Sequence, residues 1–117
     1  MHKFFSLLGL CKRANKLAAG EVAAEQAVRG KQPVSLLIVA EDASANTKKK
    51  FRNSAAYYEI PLIEIGQKEE LGRAIGADLR SIIAITEEGF AKKLQELAES
   101  FLEHTEKTDK TEKTDKD

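Results

Sequence analysis

Two acidic pairs, Glu41-Asp42 and Glu87-Glu88, each stand just after a short apolar run, at strand ends where catalytic carboxylates are often held. Acid–base chemistry needs a second group within hydrogen-bond reach. The chain's two histidines, His2 and His104, both lie near its ends, and no nucleophile motif, phosphate loop or metal-ligand spacing accompanies the carboxylates. The simpler chemistry is electrostatic, since acidic side chains are stabilised where a helix begins. The single cysteine, Cys11, excludes a disulfide framework or metal cluster within one chain. It shares an apolar spacing with Phe4, Leu7 and Leu8 and reads as a small core residue. The sequence therefore points away from an enzyme, with no cofactor, metal or small-molecule substrate expected.

A second kind of chemistry is anion binding. Leu17-Ala18-Ala19 runs into Gly20 and then a helix-like stretch, and Leu36 to Ala40 runs into Glu41-Asp42. Both read as buried strands feeding helix starts, which carry unpaired N–H groups and a positive dipole end. Lys12, Arg13, Lys16, Arg29 and Lys31 surround these steps in sequence. Lys48, Lys49, Lys50 and Arg52 form the densest basic run, read as a solvated helix face or a second contact for a polyanion. The net charge of zero hides an asymmetry: residues 1–60 carry ten Lys or Arg against five Asp or Glu, and residues 61–117 carry nine against fourteen. A basic first half suits a polyanionic partner, but a neutral total makes recognition local. No apolar run reaches membrane-spanning length and no signal-peptide pattern opens the chain, so a cytoplasmic protein with no membrane partner is expected.

The elements that must position these groups follow from the apolar period, which switches between helical and extended as in an α/β domain. The spacing predicts helices at about 3–13, from Gly20 to Gly30, from an N-cap at Ser44 to Tyr58, at about 67–75, and after Thr86. Strands are expected at 16–19, 34–40, 62–65 and 82–85. Inward faces should comprise Phe4, Leu7, Leu8 and Cys11; Ala24, Ala27 and Val28; Thr47, Phe51, Ala55 and Tyr58; Leu71 and Ile75; and Phe90, Leu94, Leu97, Ala98 and Phe101. Gly30 is expected to end its helix through a left-handed turn, Gly76 to close the helix at about 67–75, and the Thr86 hydroxyl to cap the last. Four strands and five helices make a three-layer α/β/α sandwich with a four-stranded mixed sheet over residues 1–103. Residues 104–117, a repeated Thr/Glu/Asp/Lys pattern, are expected to be a disordered tail.

Several of these pieces together resemble a known family. They are Gly20 at its step, Ala40-Glu41-Asp42, Ile60-Pro61, Leu71-Gly72-Arg73-Ala74-Ile75-Gly76, and Ile85 before a short loop. The chain resembles the kink-turn-binding ribosomal protein family, which includes archaeal large-subunit and box C/D ribonucleoproteins. Asp42-Ala43-Ser44, Asn46-Thr47-Lys48-Lys49, Tyr57-Tyr58 and Gly89-Phe90-Ala91 with Lys93-Leu94 look like its small bacterial ribosomal-type members. The resemblance implies a structured RNA partner, ribosomal or kink-turn-like, with the ribosome as a candidate assembly. It implies an RNA surface built from Gly20 to Gln26, Glu41 to Ala43 and Ile85 to Gly89, and assigns Gly72 to close helix packing. The residues implied are Gly20, Glu21, Val22, Ala23 and Gln26; Glu41 and Asp42; Ile85, Thr86, Glu87 and Gly89; with Lys12, Arg13, Lys16 and Lys31 for phosphates. Where the family carries Asn, Glu and Lys after the glycine, this chain has Val22, Ala23 and Gln26. That exchange removes base-edge readers and implies weak, salt-sensitive binding, or conversion to a protein-binding adaptor on the same fold.

Overall fold

The computed structural model describes residues 2–31 and 33–101; the expected tail and His104 lie outside them. The helices are α1 (His2–Arg13), α2 (Glu21–Arg29), α3 (Ala45–Tyr58), α4 (Lys68–Ala74) and α5, at 88–101. The strands are β1 (Leu17–Ala19), β2 (Leu36–Val39), β3 (Leu62–Glu64) and β4 (Ile82–Ile85). They form one mixed sheet in the order β1-β4-β2-β3. β2 and β3 are parallel, while β4 runs antiparallel to both of its neighbours, pairing Leu17 with Ile85 on one side and Val39 with Ile82 on the other.

Every residue of β2 and β4 is buried, as central strands covered on both faces must be. β1, expected to be buried, lies on a sheet edge and is only half-buried. α2 and α3 pack together, and α2 also covers β1 and β4. α1 packs against α4, and its Leu7 and Leu10 line a surface groove together with Leu97 of α5. Phe4, Leu8, Phe51, Leu71 and Leu94 bring these helices onto the sheet as fully buried side chains. Cys11 joins the core, donating its thiol to the Lys16 carbonyl at 3.4 Å, and burial pushes its pKa up to about 11.

Gly72 acts as a wedge. A Cβ there would lie 1.6 Å from the Asp78 carbonyl oxygen, so only glycine lets α4 lie against the chain that returns to β4. Four local expectations are corrected, the first being Phe101, which is exposed rather than on the inward face of α5. Gly30 leaves α2 in extended backbone, φ −81° and ψ −178°, because its N–H closes a tight bond to the Ala27 carbonyl. Tyr58 is exposed rather than inward. The reason is that Glu59 is left-handed at φ 56° and Ile60 donates back to the Ala55 carbonyl, so Ile60 takes the core-facing position. The cap of α5 is Glu87, not Thr86: its carboxylate accepts from the Gly89 N–H at 2.7 Å and the Phe90 N–H at 2.8 Å.

Candidate nucleic-acid interface

The direction of β4 decides which segments meet. β1 and β2 both end where β4 begins, so Gly20 donates to the Ile82 carbonyl and Ala40 to the Ser81 carbonyl, both at 2.9 Å. The step into α2, the turn after β2 and the loop at 77–81 therefore share one rim of the sheet. Ile85 to Gly89 follows the other end of β4, beside the start of β1, where the Thr86 N–H bonds the Lys16 carbonyl. The expected trio of neighbouring segments is thus corrected: two of them meet, and the partner they meet is the loop before β4. Ile85 is also fully buried, which closes its side chain to any ligand.

At the shared rim, an open concavity of about 480 Å³ is lined by Gly20, Glu21, Val22, Ala23, Gln26, Leu79, Arg80 and Ser81. Gly20 begins α2 at φ 98° and ψ 160°, a backbone region costly for residues with a Cβ, although an added Cβ would meet no neighbour within 4 Å. Among the described residues no side chain caps this helix. The amides of its first turn are left to an outside acceptor, supported by the positive end of the helix dipole. By contrast α3 is capped by Ser44, which accepts from the Thr47 N–H at 3.1 Å, and α4 by a reciprocal box between Gln67 and Glu70.

The side chains around these amides divide into fixed and free. Glu21 accepts a hydrogen bond from the buried Thr47 hydroxyl at 3.2 Å, tying the starts of α2 and α3 together. Glu41 accepts from the Gly66 N–H at 3.1 Å and Asp42 from the Lys68 N–H at 2.7 Å, so the acidic pair secures the entry to α4. Val22 and Leu79 are free: 71 % and 58 % exposed, they give the concavity an apolar wall. Arg80 is half-buried, its guanidinium donating to the Leu79 carbonyl and its N–H to the Lys68 carbonyl.

Lys12 and Arg13 line a groove with Ala74, Ile75 and Gly76, alongside the loop that carries Leu79. Lys31 and Thr86 sit at the far end of a groove along α2 that Ala23 and Gln26 share with the concavity. Lys16 and Glu87 belong to the opposite rim, where Gly89 merely takes part in the α5 cap. Leu79 and Arg80 were not singled out from sequence. The available signal was weak: an exposed leucine and an arginine just after Gly76-Ala77-Asp78, in a loop whose importance rests on strand direction.

A mixed sheet between two helical layers, with an uncapped helix start at one rim, defines a small α/β/α module. The chain belongs to the ribosomal protein L7Ae/L30e/S12e/Gadd45 family, whose model matches residues 2–95. It is 39 % identical over 95 residues to the RNA-binding protein YlxQ of Bacillus subtilis, covering 81 % of this chain and 94 % of that one. An Enterococcus faecium protein of the same name is 40 % identical over 97 residues, covering 83 % and 92 %. Among solved structures, a protein of unknown function from Bacillus halodurans superposes with a TM-score of 0.78 at 41 % identity, over 83 % of this chain and 97 % of that chain. The Giardia lamblia 15.5kD RNA binding protein shares the fold at a TM-score of 0.67 and 19 % identity, over 82 % and 84 %.

Proposed function

We propose that the protein binds structured RNA of the kink-turn type, with the open start of α2 facing the bent backbone and the loop at 77–81 completing the contact. The observation that carries this reading is the uncapped helix at Gly20, opening onto a concavity walled by Val22, Leu79 and Arg80. Amides there suit phosphate or base-edge acceptors, exposed apolar side chains suit an unstacked base, and Lys12 and Arg13 flank the surface for further phosphates. The YlxQ relatives, named as RNA-binding proteins, support the same partner. With Val22, Ala23 and Gln26 at the reading step, backbone and cation contacts outweigh side-chain contacts to bases, so binding is modest and falls steeply with salt. A cytoplasmic ribonucleoprotein, including an assembling ribosome, is the setting this reading favours.

Fluorescence anisotropy with a kink-turn RNA and a plain duplex, each at two salt concentrations, tests it. Preference for the kink-turn, lost about tenfold on Arg80→Glu, is the expected result. Equal affinity for the two RNAs counts against kink-turn recognition. A second reading has its own observation: Val22 and Leu79 form an exposed apolar spot on a rim that lacks the family's polar readers. A protein partner retained in pull-downs after nuclease treatment, and lost on Val22→Glu, would favour an adaptor.

A further inference from the structure

The basic run on α3 and the two tyrosines at its end do not line the Gly20 concavity. Lys48 and Arg52 both reach one carboxylate, Glu64 on the edge strand β3. Lys50 and Arg29 likewise share Glu25 on α2. Each carboxylate is held below its ordinary range, Glu64 chiefly by the hydrogen bond from Lys48 and Glu25 by that from Lys50. One acid serving two bases leaves each cluster with a surplus of positive charge. Lys49 has no ion pair among the described residues and adds to it. Over residues 21–31 and 45–59 with Glu64, six Lys or Arg stand against four Glu, so this face of the molecule is positive although the chain is neutral.

Aromatic surface accompanies the charge. Tyr57 is 80 % exposed and Tyr58 42 %, and their rings stand perpendicular with centroids 4.8 Å apart. In such a pair, the ring that presents its edge keeps both of its faces clear of its neighbour. Lys49, Asn53 and Tyr57 follow one another at four-residue intervals along one exposed helix face, spanning about 12 Å. A row of cations leading to open aromatic rings is the combination that tracks a sugar–phosphate chain while stacking its bases. Such stacking requires bases that are not paired.

We propose that this α3 ledge is a second RNA surface, which takes an unpaired segment with its bases on Tyr57 and Tyr58 and its phosphates along Lys49 and the Lys48–Arg52 row. None of its residues lines the Gly20 concavity, and either site can fail without the other. The chain has two tyrosines and no tryptophan, so intrinsic fluorescence reports this ledge alone. Titrating the full chain with a uridine decamer at low salt should quench that emission to saturation. Tyr57→Ala should weaken decamer binding, read by anisotropy, about tenfold, with Tyr57→Phe within about twofold of the parent, since stacking needs the ring and not the hydroxyl. Glu64→Gln, which releases Lys48 and Arg52, should strengthen it.

Arg80→Glu, directed at the corner, should leave decamer binding unchanged; an equal loss there would place the decamer at the corner and overturn the proposal. Absence of quenching at millimolar decamer would overturn it as well, as would unchanged affinity in Tyr57→Ala. A nuclease-resistant protein partner lost in Tyr57→Ala, with no decamer binding, would assign the ledge to protein instead.

Discussion

The two ends of the sheet each launch a helix from a strand, and they treat the launch in opposite ways. At one end β1 passes through Gly20 into α2, and no side chain among the described residues closes the helix start. At the other, β4 passes through Thr86 into α5, and the Glu87 carboxylate takes the Gly89 and Phe90 N–H groups for itself. The same dipole that attracts an anion is satisfied internally in one place and left available in the other. A helix start becomes a binding feature when the chain withholds its own cap and gathers other residues around the opening. Val22, Leu79 and Arg80 are gathered at Gly20.

The strongest way to break this contrast is at Gly72. Gly72→Ala forces a methyl group onto the Asp78 carbonyl and should cost about 3 kcal/mol in urea unfolding, with the loop at 77–81 displaced and RNA binding lost along with it. Retention of both stability and binding would mean that the wedge does not hold the loop. Next in size is a gain. Val22→Asn, Ala23→Glu and Gln26→Lys together should tighten kink-turn binding at least about tenfold, or about 1.4 kcal/mol, by anisotropy. If the triple variant folds and gains nothing, the open corner does not read RNA in the way proposed.

Glu87→Gln sharpens the contrast from the closed side. The Glu87 pKa lies below its ordinary value of 4.5, first because of the Phe90 N–H and then the Gly89 N–H. A carboxylate so depressed contributes stability that is present above pH 4.5 and lost as pH falls through its folded-state pKa. The variant should melt at a lower temperature than the parent at pH 7, with the gap shrinking below pH 4.5, and kink-turn binding unchanged. The smallest effect is expected for Lys16→Glu on the closed rim, which should change kink-turn affinity by less than about twofold at moderate salt. A loss as large as that of Arg80→Glu would show that both rims touch RNA.

Much of the fold was readable from local pattern. The apolar period located all five helices and four strands, the Ser44 cap, the Cys11 core position and the glycine step at Gly20, because each depends on neighbours in sequence. Strand direction is different. Nothing within Ile82 to Ile85 states that it enters between β1 and β2 against both, and an alternating α/β pattern invites helix starts to be placed on one rim. That inversion exchanged Ile85–Gly89 for the loop at 77–81 as the third neighbour of the corner. The misassigned caps have local causes: Thr86 and Glu87 are both competent acceptors, and backbone geometry selected the carboxylate. Tyr58 keeps the inward period of α3, but the left-handed Glu59 ends the helix and hands the inner position to Ile60.

The loop bearing Leu79 and Arg80 is fastened from three directions: Gly72 admits its start, the Lys68 carbonyl receives the Arg80 N–H, and Ser81 accepts from Ala40. A template tethered in this manner has little freedom to surrender when it meets a ligand, so the conformational work falls on the nucleic acid. Under the proposed kink-turn binding, association should be paced by how often the RNA visits its bent shape, and divalent cations that favour that shape should accelerate capture while barely altering the dissociation rate.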